Sequence, residues 1–165
     1  MKKIAFLIID MQKAFLQDHK EQMNVERACE HINYVAEQLR ANNHPVIHIQ
    51  DVEGAEDLNA ESLEIIPEIN VEPQDIRVTK EASNAFWNTE LEQILLKHDI
   101  GLVVVAGYAA EHCVLFTYNG ARERGFKTVI LQNGILSSNS DVIPLTNRDR
   151  NVISYPVIEF IANGL

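Results

Sequence analysis

Two uninterrupted apolar runs, Ile4–Ile9 and Leu102–Ala106, constrain this chain more than any other feature. A strand with apolar residues at consecutive positions is buried on both faces, which occurs where a parallel sheet is covered by helices on either side. The segments between agree. Residues 24–42 predict a helix, with Asn24 as a cap, Val25, Ala28, Ile32, Val35 and Leu39 at three-to-four spacing, and Pro45 beyond its end. Val46–Ile49 and Ile76–Val78 predict strands. Thr89-Glu90-Leu91-Glu92 matches a capping box and opens a helix that runs to about His98. Gly107 is expected to end the 102–106 strand, a helix follows over about 111–124 with Gly125 closing it, and Lys127–Leu131 reads as a further strand. Beyond Ser137, Pro144 and Pro156 interrupt the pattern, and a last strand cannot be separated from a last helix. Alternation of this kind specifies a three-layer α/β/α fold with a mostly parallel, Rossmann-like central sheet. The 165 residues fit one domain, 1–165.

Fourteen Lys and Arg against twenty-four Asp and Glu leave a formal charge of −10. Neither nucleic acid nor an anionic membrane surface is an expected partner of such a chain. Most of the excess lies in one stretch, 51–75, with nine acidic residues and no Lys or Arg. Gly54, Pro67 and Pro73 make it a long loop with at most a helical turn. It is either a solvated face or a border of the site or of a subunit contact that disfavours anionic substrates. No apolar run reaches the roughly 18–20 residues of a membrane span. The opening Met1-Lys2-Lys3 followed by Ile4–Ile9 imitates a signal peptide, but Asp10 cuts the apolar stretch and no small-residue cleavage site follows. Two cysteines, Cys29 and Cys113, are too few for a disulfide scaffold, and a reducing, cytoplasmic location is expected.

Ligands of open parallel sheets bind beyond the carboxyl ends of the strands. Three predicted strand ends deliver reactive groups there: Asp10, Lys80 and, after Gly107-Tyr108-Ala109-Ala110-Glu111-His112, Cys113. A thiol in the first turn of a helix, with a lysine nearby, is expected to have a lowered pKa. Asp10 is suited to take its proton and return it to a leaving group. The turn after Gly107 directs backbone N–H groups to where an acyl oxyanion would form. The plainer alternatives are a buried cysteine acting as a small hydrophobe, a strand-end Asp capping a helix, and an exposed Lys.

These residues resemble a known family, the isochorismatase-like cysteine hydrolases, which include nicotinamidases and N-carbamoylsarcosine amidases. Leu7-Ile8-Ile9-Asp10-Met11-Gln12-Lys13-Ala14-Phe15 resembles the family's opening strand. Lys80-Glu81-Ala82-Ser83-Asn84-Ala85-Phe86 resembles its lysine segment, and Gly107–Val114 its nucleophile turn. The resemblance runs from Ile4 to about Leu136. It implies a catalytic triad of Asp10, Lys80 and Cys113, and a cis peptide at Tyr108–Ala109 that turns the N–H groups of Ala109 and Cys113 into an oxyanion hole. It further implies a homo-oligomer, dimer or tetramer, with no organic cofactor. The chain departs from the family at Ala110-Glu111, where Thr or Ser followed by Asp or Asn is common. Isochorismatases proper cleave a vinyl ether and usually lack the cysteine, so an amide-type substrate fits better.

The nicotinamidase branch holds a metal through Asp-x-His and two further histidines. Here the corresponding stretch is Gln50-Asp51-Val52-Glu53, with no His between His48 and His98, so such a metal site is not expected. His112 cannot form a dyad with the adjacent Cys113, because successive helical residues diverge by about 100°. His19, His31, His44 and His98 read as surface residues, His48 as a residue at the sheet's rim, and Cys29 as core. Phe15, Phe86, Trp87 and Tyr108 are candidate walls of a small-molecule pocket, with core packing the alternative for Phe15 and Phe86.

The expected activity is a cysteine-dependent hydrolase that cleaves a small amide-like C–N bond through a thioester. Two rivals are a catalytically silent binding or regulatory protein on the same fold, and a redox-active thiol protein cycling Cys113 through sulfenic acid. The second rival lacks a resolving cysteine nearby in sequence.

Overall fold

The computed structural model describes residues 2–164. Six strands, β1 (Lys3–Ile9), β2 (Val46–Asp51), β3 (Ile76–Lys80), β4 (Ile100–Tyr108), β5 (Lys127–Leu136) and β6 (Val152–Ile153), form one sheet in the order β3-β2-β1-β4-β5-β6. Every pairing in it is parallel. The helices are α1 (Lys13–Leu16), α2 (Lys20–Met23), α3 (Val25–Ala41), α4 (Leu91–Lys97), α5 (Cys113–Glu123), α6 (Val142–Asp149) and α7 (Tyr155–Ala162). Among the described residues no helix is long and apolar enough to cross a membrane.

Alternation along β1 supplies both cores. Ile4, Phe6 and Ile8 face α3 and α7, meeting Ala28, Ile32, Val35 and Leu39 and then Ile158 and Ala162. Ala5, Leu7 and Ile9 face the other layer, meeting Leu91 and Leu95 of α4 and Val114, Tyr118 and Ala121 of α5. Helices therefore cover both faces, and the architecture is the three-layer α/β/α fold that the apolar runs specify. Each large aliphatic side chain so buried stabilises the fold by about 2 kcal/mol before the entropy of ordering it is counted.

Several local expectations are corrected. Gly107 does not end β4. The strand continues to Tyr108, with a register shift against β5 between Val105 and Gly107. Gly107 has φ +114°, and a Cβ there would lie 2.0 Å from the Ile9 carbonyl oxygen of the paired strand. The glycine is thus a close-approach residue inside the sheet rather than a stop. The following helix begins at Cys113 instead of 111, and β5 extends to Leu136. Asn24 precedes α3 in a left-handed conformation, φ +54°, without a side-chain cap. Thr89 accepts the Leu91 N–H, but α4 starts only at Leu91 and Glu92 does not close the box. The tail contains both kinds of element, α6, the short β6 and α7.

The 51–75 excursion is a long loop with one 3-10 turn at Glu61–Leu63. Many of its acids are paired: Glu61 and Glu64 with Lys13, Glu68 with Lys20, and Asp75 with Arg40. The side chain of Asp75 is 1% exposed; it accepts two bonds from the Arg40 guanidinium, one from the Glu72 N–H, and lies 2.9 Å from Nε2 of His48. Burial works to raise the Asp75 pKa, yet these partners outweigh it and hold the carboxyl below its ordinary value.

Two stability predictions follow from this packing. Gly107→Ala should destabilise by roughly 3 kcal/mol or more in urea titration, from left-handed backbone strain and displacement of the Ile9 carbonyl together. Asp75→Asn should cost roughly 2–4 kcal/mol at pH 7. Because the native pKa is depressed, the contribution of Asp75 is fully present above its unfolded value of about 4 and is lost as pH falls through the native one. The gap between parent and variant should therefore close on acidification; a gap independent of pH would refute the ionic origin.

Candidate active site

Sheet topology determines where the site lies. The chain leaves β1 toward β2 and β3, then returns past β1 to β4 and β5, so β1 and β4 flank the switch point where a parallel sheet opens a crevice. Asp10 immediately follows β1, and Cys113 opens the helix after β4. Lys80 ends β3, two strands away, and its long side chain spans the distance. Its Nζ lies 2.9 Å from Oδ2 of Asp10 and 3.4 Å from Sγ of Cys113. The lysine segment is also tied to α5, since Thr117 Oγ1 accepts the Ala85 N–H at 3.0 Å. The three strand-end groups are thus in mutual reach.

A fourth residue joins them. Asp51, at the end of β2, places Oδ2 2.5 Å from Lys80 Nζ. Its position follows from register, because Asp51 pairs with Lys80 across β2 and β3. Gln12 pins its backbone: Oε1 accepts the Asp51 N–H at 2.7 Å and Nε2 donates to the Asp51 carbonyl at 3.0 Å. Gln12 Nε2 also donates to the Leu63 carbonyl, which attaches the acidic excursion to the rim of the site. In the sequence, Asp51 stands out only as part of the acidic stretch and of a segment without the histidines of a metal site, and Gln12 only as part of the opening motif. The available signal was their placement beside two strand ends that already carried Asp10 and Lys80.

Burial governs the electrostatics. It pushes the Asp10 carboxyl up to about 6 against the pull of Lys80. Burial likewise raises the Cys113 thiol to about 12, reinforced by the Asp10 carboxylate and opposed by Lys80. The expectation of a lowered thiol pKa is therefore corrected. Removal from water and a neighbouring anion outweigh the lysine, and Cys113 rests as a protonated thiol. Burial also works against charge on Lys80, but Asp10 and Asp51 outweigh it and hold its pKa above the ordinary lysine value. At neutral pH the group is carboxylate, ammonium and thiol.

The Tyr108–Ala109 peptide is cis. In the turn that follows, the N–H of Ala110 donates to Leu136, and those of His112 and Val114 donate to the Ala109 carbonyl. The N–H groups of Ala109 and Cys113 carry no such bond among the described residues. Glu111, which stands where the family's common pattern differs, accepts a bond from Ser137 Oγ at 2.9 Å.

The four aromatic candidates separate. Phe15 stacks on Tyr108 at 5.7 Å, and the Tyr108 hydroxyl meets Ser138 Oγ at 3.1 Å. Trp87 is 63% exposed and, with Val52, Glu81 and Asn88, borders a cavity of about 330 Å³ that Lys80 also bounds. Phe86 is only 5% exposed, belongs to the core between the sheet, α4 and α5, and stacks on Phe126 with Arg124 above its ring. A pocket-wall role for Phe86 is corrected to core packing, because its ring points inward while that of its neighbour Trp87 points out. His48 is corrected too: it is buried and bound to Asp75 rather than placed at the rim. His44 is half-buried, and its Nδ1 accepts the Ile4 N–H.

Asp10, Asp51 and Cys113 offer ligand atoms within 4.8 Å of one another. The donor set does not fit a metal ion, since the Lys80 ammonium already stands among all three. Cys29 lies in the core on the α3 face and Cys113 against the α5 face, so the sheet separates the two thiols.

Residues 4–142 match the model of the isochorismatase domain. An uncharacterized isochorismatase family protein, YaaI of Bacillus subtilis, is 31% identical over 149 residues, covering 83% of this chain and 82% of that protein. Among solved structures, a cysteine hydrolase from Pseudomonas syringae pv. phaseolicola superposes with a TM-score of 0.86 at 17% identity, covering 98% of this chain and 92% of that one. An N-carbamoylsarcosine amidase from Thermoplasma acidophilum gives a TM-score of 0.79 at 22% identity, covering 93% and 96%. At these identities the structural likeness speaks for the fold. The domain match spans most of the chain and includes every strand end that carries a reactive group: this protein belongs to the isochorismatase family of hydrolases.

Proposed function

We propose that the protein is a cysteine-dependent hydrolase acting on a small amide-like C–N bond, with Asp10, Lys80 and Cys113 as its catalytic residues. The observation that carries this reading is the contact of one buried ammonium with both a carboxylate and a thiol. Asp10, ionised above about pH 6, is a base beside a thiol that still holds its proton. Proton transfer from Sγ to Asp10 accompanies attack of sulfur on the carbonyl carbon, whose π electrons move to oxygen. The free N–H groups of Ala109 and Cys113 receive that oxyanion. Collapse expels the amine, which takes the proton from Asp10 and leaves a thioester on Cys113. Water, deprotonated by Asp10, then attacks the thioester, and the sulfur leaves and regains the proton. Lys80 balances the negative charge at each stage and keeps donor and acceptor in line. The amidase among the structural neighbours accords with an amide substrate.

Trp87 and the Phe15–Tyr108 stack are the proposed aromatic contacts for the body of the substrate. The sheet between Cys29 and Cys113 leaves the redox alternative without a resolving thiol.

Small primary amides, ureas and N-carbamoyl compounds should be screened for ammonia or amine release. Cys113→Ala should lower kcat by roughly a thousandfold or more. Activity that survives this substitution removes the nucleophile assignment. In the parent, kcat/KM should rise through about pH 6 as the Asp10 carboxyl ionises and then stay level through neutral pH. Asp10→Asn should abolish both activity and that acid limb.

A further inference from the structure

The ammonium of Lys80 has three N–H donors and, with its side chain wholly buried, no water to satisfy them. Three acceptors surround it: Oδ2 of Asp10 at 2.9 Å, Sγ of Cys113 at 3.4 Å and Oδ2 of Asp51 at 2.5 Å. Two of these belong to the proposed reaction. The third does not, yet it makes the shortest of the three contacts. Asp51 is itself held from two sides, by the paired Gln12 bonds to its backbone and by the Glu53 N–H, which donates to Oδ1 at 2.9 Å.

We propose that Asp51 is a positioning residue for the Asp10–Lys80–Cys113 group: it holds the ammonium between two carboxylates, so that Asp10 keeps only a share of the lysine charge and stays basic enough to take the thiol proton. This rests on the reading of Asp10 as the base. A lysine held by Asp10 alone would give its full charge to that carboxylate, stabilising the anion and weakening it as a base. A lysine anchored also from β2 cannot move wholly onto Asp10, and its third donor remains on sulfur. The groups that act electrostatically on Asp10 come from three elements: Lys80 from β3 and Cys113 from α5 favour its charged form, while Asp51 from β2 opposes it, alongside the burial that raises it. Gln12 contributes without charge, by fixing the end of β2 against the end of β1.

The test reads Cys113 directly and needs no substrate. The rate of alkylation of Cys113 by iodoacetamide, followed by mass spectrometry of the intact protein, is measured from pH 4.5 to 9 in the parent, Asp51→Asn, Asp51→Ser and Asp51→Glu. The parent rate should rise through about pH 6, with Asp10 as base. In Asp51→Asn the rise should move down by about half a pH unit or more, and the plateau should fall about tenfold, because the ammonium now sits closer to Asp10. Asp51→Glu, which keeps the charge, should restore the parent midpoint. A merely structural role for Asp51 would lower the melting temperature and leave the midpoint where it was. Should Asp51→Asn fail to fold, Asp51→Ser carries the same expectation. A parent rise near pH 6 that is unchanged in midpoint and plateau in the neutral variants overturns the role of Asp51 alone. A parent with no rise there overturns Asp10 as the base, and this inference with it.

Discussion

One ammonium group organises the reactive end of this fold. Lys80 reaches from the end of β3 beneath the end of β2 to the switch point beside β1, with its side chain fully removed from water. A buried cation is costly unless every donor is met. Here Asp10, Asp51 and Cys113 meet them, and each approaches from a different element. Because the three acceptors are brought together by one charge, the geometry of sulfur relative to carboxylate follows from the lysine and not from direct contact alone.

The same burial sets the resting protonation. A thiol pushed up to about 12 sits beside a carboxyl pushed up to about 6, so the sulfur keeps its proton and the neighbouring carboxylate is the group placed to take it.

The acidic excursion serves the fold more than its net charge suggests. Its carboxylates draw Lys13, Lys20 and Arg40 onto it, and its backbone is joined to the first strand through Gln12, which bonds the Leu63 carbonyl and pairs opposite Ile65. Through Gln12 that loop is tied to Asp51 at the end of β2, so a segment that reads in the sequence as a solvated face or a border of the site is joined to the sheet edge beside Lys80.

The layered fold was legible in the sequence because burial on both faces leaves a local mark: consecutive apolar residues at Ile4–Ile9 and Leu102–Ala106, and three-to-four spacing along α3. Strand ends were legible in part: Asp10 interrupts the first apolar run, and Lys80 follows the predicted strand Ile76–Val78 after Thr79. Gly107 was misread because a glycine that admits a neighbouring carbonyl looks, in one dimension, like a glycine that stops a strand. Phe86 and Trp87, adjacent in the chain, could not be sorted into core and surface without the helix that packs over one of them. The sequence by itself determined the layers, the parallel sheet and which side chains stand at the carboxyl ends of the strands, all of which depend on the periodicity of neighbours in the chain. Only the tertiary structure decided that Asp51 shares the lysine and that Cys113 rests protonated, because desolvation and charge pairing depend on distances between residues about thirty to a hundred positions apart.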